Sequence, residues 1–122
     1  TGYLLFAYEN GKVAKINMDS YKTKYNRTKI INAYNTDSTL LNIHYINDDT
    51  YFTCVSSIDK VLVFDTSLIN PKSSKTSQGV NVLKSKKDSH MVQFEPCDME
   101  LYERDYYIAN IPAIGKYRQK RK

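Results

Sequence analysis

The sequence has no tryptophan, only two cysteines, and no apolar run near the roughly 20 residues that cross a bilayer as a helix. Cys54 and Cys97 lie far apart and form no CxxC. Two reduced, partly buried thiols of a cytosolic protein are the ordinary reading, with a disulfide or a metal pair as the alternative. Walker, GxGxxG and GxSxG motifs are missing, which removes the usual phosphate cradles and the nucleophile elbow. His44 and His90 occur without HxH or HExxH spacing, so structural roles are expected of both. Asp48 and Asp49 follow an asparagine between two strand-like runs, which is ordinary turn chemistry before it is a cation site. The first residues carry neither a basic n-region nor a cleavage signal nor an initiator methionine. The expectation is a piece excised from a longer polypeptide.

What is present suits one ordinary soluble domain. The chain has 122 residues, 41% hydrophobic and 25% charged, with 11 tyrosines. The formal net charge is +5, and the last seven residues account for all of it. They hold Lys116, Arg118, Lys120, Arg121 and Lys122 and no acid, while the remaining thirteen cations are matched by thirteen acids. Within that neutral body, residues 22–29 carry Lys22, Lys24, Arg27 and Lys29 without an acid. Residues 95–105 carry Glu95, Asp98, Glu100, Glu103 and Asp105 against Arg104 alone. Such segregation predicts one surface that attracts polyanions and another that does not.

Apolar residues alternate with polar ones almost throughout, which predicts an all-β chain. Strands are expected over residues 3–8, 12–18, 29–34, 39–46, 50–55, 60–65, 79–84 and 90–95. Ala14, Ile16 and Met18 would share one face, with Lys15 and Asn17 on the other. Asn10-Gly11 marks the first hairpin, because both residues tolerate positive φ. Helical periodicity shows only weakly, over residues 98–105.

The pattern repeats. Laying Tyr3 on Tyr51, a displacement of 48 residues, brings Lys12 onto Lys60, Val13 onto Val61, Ile16 onto Phe64 and Lys24 onto Lys72. It also brings Arg27 onto Lys75 and Thr28 onto Thr76. One inserted residue then aligns Asn32 with Asn81, Ile43 with Val92 and Tyr45 with Phe94. Each unit reads strand, tight turn, strand, long basic loop, strand, turn, strand. That is a four-stranded, propeller-like blade, and such blades must stack to bury both faces. Residues 1–48 are expected to form the first blade and 49–96 the second. Residues 97–122 would be a C-terminal extension with a basic tail.

Residues 4–21, 51–69 and 75–83 resemble the C-terminal domain of bacterial type IIA topoisomerase A subunits, those of DNA gyrase and topoisomerase IV. The carrying motif is a hairpin followed by a basic loop with Thr and Gly-Val opening the third strand, as in Lys75-Thr76-Ser77-Gln78-Gly79-Val80. Arg27-Thr28-Lys29-Ile30 is a copy without the glycine, and residues 110–117 resemble segments that follow the last blade in some A subunits. The resemblance implies a β-pinwheel, whose blades exchange strands and whose outer basic rim bends duplex DNA. It further implies that the nucleophilic tyrosine, the metal-binding acids and the ATP site lie in other domains or subunits. No cofactor is then expected in this piece, and ATP and Mg would serve the parent enzyme elsewhere. Partners would be double-stranded DNA, the rest of the A subunit and the ATPase B subunit, at the bacterial nucleoid in the cytoplasm. The glycine-rich box specific to gyrase is missing, and the corresponding loop keeps its cations but loses its glycines.

The candidate DNA-binding residues are Lys22, Lys24, Arg27, Lys29, Lys72, Lys75, Lys116, Arg118, Lys120 and Arg121. No base-reading helix accompanies them, so phosphate contact and shape readout are expected. Tyr25 and Tyr34 could stack on bases, though packing is the commoner use of such residues. Arg104-Asp105-Tyr106 lacks any surrounding site that would activate a tyrosine. The alternative reading is a protein-interaction propeller of the WD-repeat kind, which residues 56–67 superficially resemble, with no affinity for DNA.

Overall fold

The computed structural model describes residues 2–18, 38–72, 79–84 and 89–117. Among the described residues, eight strands form two four-stranded antiparallel sheets, accompanied by one short helix. The first contains β1 (Tyr3–Tyr8), β2 (Lys12–Asn17), β3 (Leu40–Ile46) and β6 (Val80–Asn81), in the order β3-β1-β2-β6. The second contains β4 (Tyr51–Ser56), β5 (Lys60–Asp65), β7 (Met91–Pro96) and β8 (Lys116–Tyr117), in the order β7-β4-β5-β8. A 3-10 turn, Thr66–Leu68, follows β5, and helix α1 (Leu101–Tyr107) follows β7. The helix occupies the stretch where the sequence is weakly helical in period. The expected strand over residues 29–34 lies outside the described residues.

Each sheet is built around a hairpin, and the two turns solve one geometric problem differently. Gly11 adopts φ +87, and Gly11 N–H donates to the Tyr8 carbonyl at 3.0 Å. A Cβ at Gly11 would lie 2.0 Å from the Leu83 carbonyl oxygen, so no other residue fits. Asn10 does not share the positive φ; its side chain instead accepts from Lys12 N–H at 3.1 Å. In the second hairpin the equivalent of Gly11 is Asp59, at φ 61, and Asp59 N–H donates to the Ser56 carbonyl at 2.9 Å. Asp is among the few side chains that tolerate this region.

The repeat is visible in the pairing, with one difference from the sequence alignment. The β1–β3 and β4–β7 ladders carry an irregularity at the same place, between Ala7 and Tyr8 and between Val55 and Ser56. Tyr8 pairs with Leu40 and Ser56 with Met91, so the last strands of the two units are displaced by 51 residues. Ile43 is therefore equivalent to Phe94, and Tyr45 to Pro96. The alignment by residue type is two positions short, and a slide of two leaves every side chain on its own face.

The sheets stack in one sense. The face of the first sheet bearing Leu5, Ala7 and Val13 packs on the face of the second bearing Phe52, Cys54, Leu62, Phe64 and Phe94. Phe52 and Phe94 stack at 4.7 Å between centroids, and Phe64 lies 6.3 Å from Phe94. Phe6, Tyr8, Ala14 and Ile16 form a separate cluster on the far face of the first sheet. Val55, Val61 and Val63 form another on the far face of the second, beneath Tyr107. Both faces of each sheet are thus buried, and that is why Lys15, expected on a polar face, is only 2% exposed. Its ammonium lies 2.5 Å from Asp49 Oδ1 and donates to the Thr66 carbonyl at 3.2 Å. Thr66 Oγ1 donates to the same carboxylate at 2.9 Å, and the Lys15 ammonium also sits 4.5 Å above the Tyr3 ring. This cluster ties β2 of the first unit to the second.

Candidate nucleic-acid interface

The element that defines the candidate interface is the exchanged edge strand. Val80–Asn81 comes from the second unit yet pairs with β2 of the first, Lys12 opposite Asn81 and Val13 opposite Val80. In the second sheet β8 takes the equivalent place, with Lys60 opposite Tyr117 and Val61 opposite Lys116. A glycine precedes each strand. Gly79 has φ +83 and Gly115 φ +91, and a Cβ would lie 2.4 Å from the Val13 carbonyl and 2.9 Å from that of Val61. The approaches match too: Lys72 N–H donates to the Lys15 carbonyl at 2.8 Å, and Ala109 N–H to the Val63 carbonyl at 3.1 Å. Residues 109–117 thus meet the second sheet at places equivalent to those where Lys72 and residues 79–81 meet the first. The sequence signal for this was the glycine alone, because residues 109–114 carry no cation.

Charge is sorted across the strands. Lys12 and Lys60 open the inner strands bordering the exchanged edges, Lys116 lies on β8, and exposed Lys72 and Lys84 flank β6. At the opposite edges β3 carries no charge and β7 carries only Glu95. An open groove of about 370 Å³ beside Lys72 is lined by Leu68, Asn70, Val80, Asn81, Ile111 and Pro112, with no carboxylate among the described lining residues. Its lysine and asparagine side chains are hydrogen-bond donors that suit an anionic group.

Of the candidate residues, Lys72 and Lys116 belong to this edge. Lys22, Lys24, Arg27, Lys29, Lys75, Arg118, Lys120 and Arg121 lie outside the described residues, as do Tyr25 and Tyr34. Lys116 is exposed but engaged: its ammonium donates to the Tyr106 carbonyl at 3.0 Å and lies 4.3 Å above the Tyr106 ring. Lys60 sits 4.8 Å above the ring of Tyr117. Sequence reasoning left Lys12, Lys60 and Lys84 out of the candidate set, and the structure places them along the same edges. The alignment of Lys12 with Lys60 was the available signal, because equivalent cations in stacked units recur along one edge.

The remaining polar candidates serve the fold. His44 Nε2 lies 2.9 Å from the Phe94 carbonyl oxygen, and its ring packs 5.4 Å from Phe52, joining the two sheets. His90 N–H donates to Ser57 Oγ at 3.0 Å. Asp49 holds Lys15 as described: its burial raises the carboxyl pKa, but hydrogen bonds from Lys15 and Thr66 and the Lys15 charge outweigh that and leave it lowered. Burial pushes the Cys54 thiol well up, and Cys54 and Cys97 are both unbridged. Among the described residues no three His, Cys, Asp or Glu side chains gather as metal ligands, and no helix is long and apolar enough to cross a membrane.

No family model and no curated protein matches the chain. Solved structures do. The chain is similar to the C-terminal domain of DNA topoisomerase IV, with a TM-score of 0.71 and 23% identity over 80% of this chain and 30% of that one. It is similar to the DNA gyrase A C-terminal domain, with a TM-score of 0.63 and 20% identity over 80% of this chain and 31% of that one. The E. coli ParC C-terminal domain gives 0.55 and 10% over 81% of this chain and 40% of that one. The chain therefore spans about a third of the length of the domains it matches. The likeness establishes the fold as that of the β-pinwheel domains, in keeping with the two antiparallel sheets and the exchanged strands.

Proposed function

We propose that the chain is a non-catalytic, duplex-DNA-binding part of a type IIA topoisomerase A subunit, which holds or bends a DNA arm for strand passage. The observation that carries this is the recurrence of lysines along the two exchanged edges, Lys12 with Lys72 and Lys84 on one and Lys60 with Lys116 on the other. A duplex presents one negative charge per ~1.7 Å of axis, and each phosphate met by a lysine releases condensed counterions. Strands and loops here offer no helix for the major groove, so the contact is to the backbone and indifferent to sequence. The fold likeness to topoisomerase IV and gyrase A domains supports the same reading. On it, the chain works beside the rest of its A subunit and an ATPase B subunit, at the nucleoid. Nucleotide and Mg chemistry belong to those other parts.

Fluorescence anisotropy of a labelled duplex at rising salt tests the reading. Five phosphate contacts give a slope of log K against log salt on the order of −4. Binding absent at low salt, or a flat salt response, overturns the proposal and favours the protein-interaction propeller.

A further inference from the structure

The two exchanged edge strands occupy equivalent places but carry different residues. Val80 and Asn81 lie opposite Val13 and Lys12, and Lys116 and Tyr117 lie opposite Val61 and Lys60. The first sheet closes its edge with a valine and an asparagine, so the fold needs no ring at this place. The second sheet puts a lysine and a tyrosine there. Tyr8 and Tyr107, which serve packing, are 2% and 6% exposed, whereas Tyr117 is 62% exposed and Tyr106, on α1 beside it, 38%. Aromatic surface that the fold leaves in water is suited to a flat ligand.

Each exposed ring holds an ammonium. Lys60 Nζ lies 4.8 Å from the centroid of Tyr117, and Lys116 Nζ 4.3 Å from that of Tyr106. Consecutive residues of a strand point to opposite faces. Lys116, opposite Val61, is on the α1 side, and Tyr117, opposite Lys60, is on the other. One ring with its cation therefore stands on each side of β8. A third lysine is anchored beside them, since Lys84 N–H donates to the Ala113 carbonyl at 2.8 Å, just ahead of β8. A cation over an exposed ring is a weak contact. It is weaker than a base stacked on the ring, and an ammonium bonds a phosphate more strongly. A nucleotide with an unpaired base supplies both better contacts at once. Its base takes the ring face that the ammonium leaves, and its phosphate takes the ammonium. A closed duplex cannot do this, because its base faces are shut within the stack.

We propose that the β8 edge is a binding site for single-stranded DNA, in which Tyr117 and Tyr106 stack on unpaired bases and Lys60 and Lys116 meet the adjoining phosphates. This goes beyond the duplex contact proposed above, which uses the lysines alone. Every base has a face that stacks on a phenol ring, so the site responds to strandedness and not to sequence.

Fluorescence anisotropy of the 122-residue chain tests it with three labelled probes of about 15 nucleotides. They are an oligothymidylate, the same strand with abasic sites in place of its bases, and a duplex. The abasic strand keeps the phosphates and lacks the faces to stack. Oligothymidylate should bind about tenfold more tightly than the abasic strand, or better. Tyr117→Leu and Tyr106→Leu keep apolar bulk without an aromatic face. Each should weaken oligothymidylate binding about tenfold and leave the abasic and duplex affinities within about twofold. Tyr117→Phe and Tyr106→Phe should bind all three probes as the parent does. Far-ultraviolet circular dichroism checks that each variant folds. Three results would overturn the proposal. One is equal affinity for oligothymidylate and the abasic strand, which leaves phosphate contact alone. Another is a pair of leucine variants that bind oligothymidylate like the parent. The third is a loss of all three probes alike, which makes the rings structural. Stacking lost with duplex binding intact refutes this proposal alone, and stacking without duplex binding refutes the earlier one alone. If one leucine variant does not fold, the other decides.

Discussion

Removing the carboxylate of Asp49 should cost more than removing the charge of Lys15. Lys15 Nζ is almost inaccessible and has two oxygen partners, Asp49 Oδ1 at 2.5 Å and the Thr66 carbonyl at 3.2 Å. Breaking a fully buried pair from one side costs roughly 3–5 kcal/mol, because the other charge is stranded. The Asp49 side chain is 36% exposed, so water can partly replace it, and we expect Asp49→Ala to cost about 2 kcal/mol. Lys15→Met removes the buried charge itself and leaves Asp49 where solvent reaches it. Its cost should be within about 1 kcal/mol of zero, as for buried pairs replaced by apolar residues. The second unit already has an apolar residue, Val63, at the equivalent place. The double variant should match Lys15→Met alone, a non-additivity that signals direct coupling. Urea unfolding with linear extrapolation measures all three. Lys15→Met costing more than Asp49→Ala would refute the reasoning. The pH dependence follows. Because the folded carboxyl is lowered from 3.8, its contribution is present above the unfolded value and is lost as pH falls through the folded one. The parent should therefore lose more stability in acid than Lys15→Met does.

The other expectations concern the edge and the core. Lys72→Gln and Lys84→Gln should each weaken duplex binding alike for all sequences and reduce the salt slope by about 0.9, as anisotropy will report. Gly79→Ala should destabilise by about 2 kcal/mol or more, from its positive φ and the 2.4 Å approach to the Val13 carbonyl. Gly115→Ala, with 2.9 Å to the Val61 oxygen, should cost less, and urea unfolding measures both. Cys97 should react with iodoacetamide in the native protein while Cys54, fully buried with its thiol pKa raised, reacts only on unfolding; peptide mass spectrometry distinguishes them.

The hairpins were legible in the sequence because their information is local. Alternation sets the faces, and Asn10-Gly11 and Ser56–Asp59 set the turns. The repeat was legible through Tyr3 on Tyr51 and Lys12 on Lys60. Three things were not. Which strand completes which sheet depends on contacts 67 to 69 residues apart, such as Lys12 with Asn81, and no local pattern encodes them. The slide that makes Ile43 the counterpart of Phe94 is invisible to a period of two. Lys15 reads as a solvent-facing lysine until the second sheet covers it and Asp49 arrives from 34 residues away. At the interface, Lys72 was legible as one of several repeated cations. Lys84 was not, because it follows the short β6 and is held at the edge by non-local backbone bonds, Val82 and Leu83 N–H to the Gly11 carbonyl and Lys84 N–H to the Ala113 carbonyl at 2.8 Å.

The borrowed edge strands make the two sheets answer for each other's melting. Neither can lose its structure alone, since β6 leaves the first sheet if the second unit unravels, and the second sheet shares its aromatic layer with the first. Heat or urea should accordingly dismantle both in one sharp, all-or-none transition. Damage near the final glycine should be felt as far away as Tyr3.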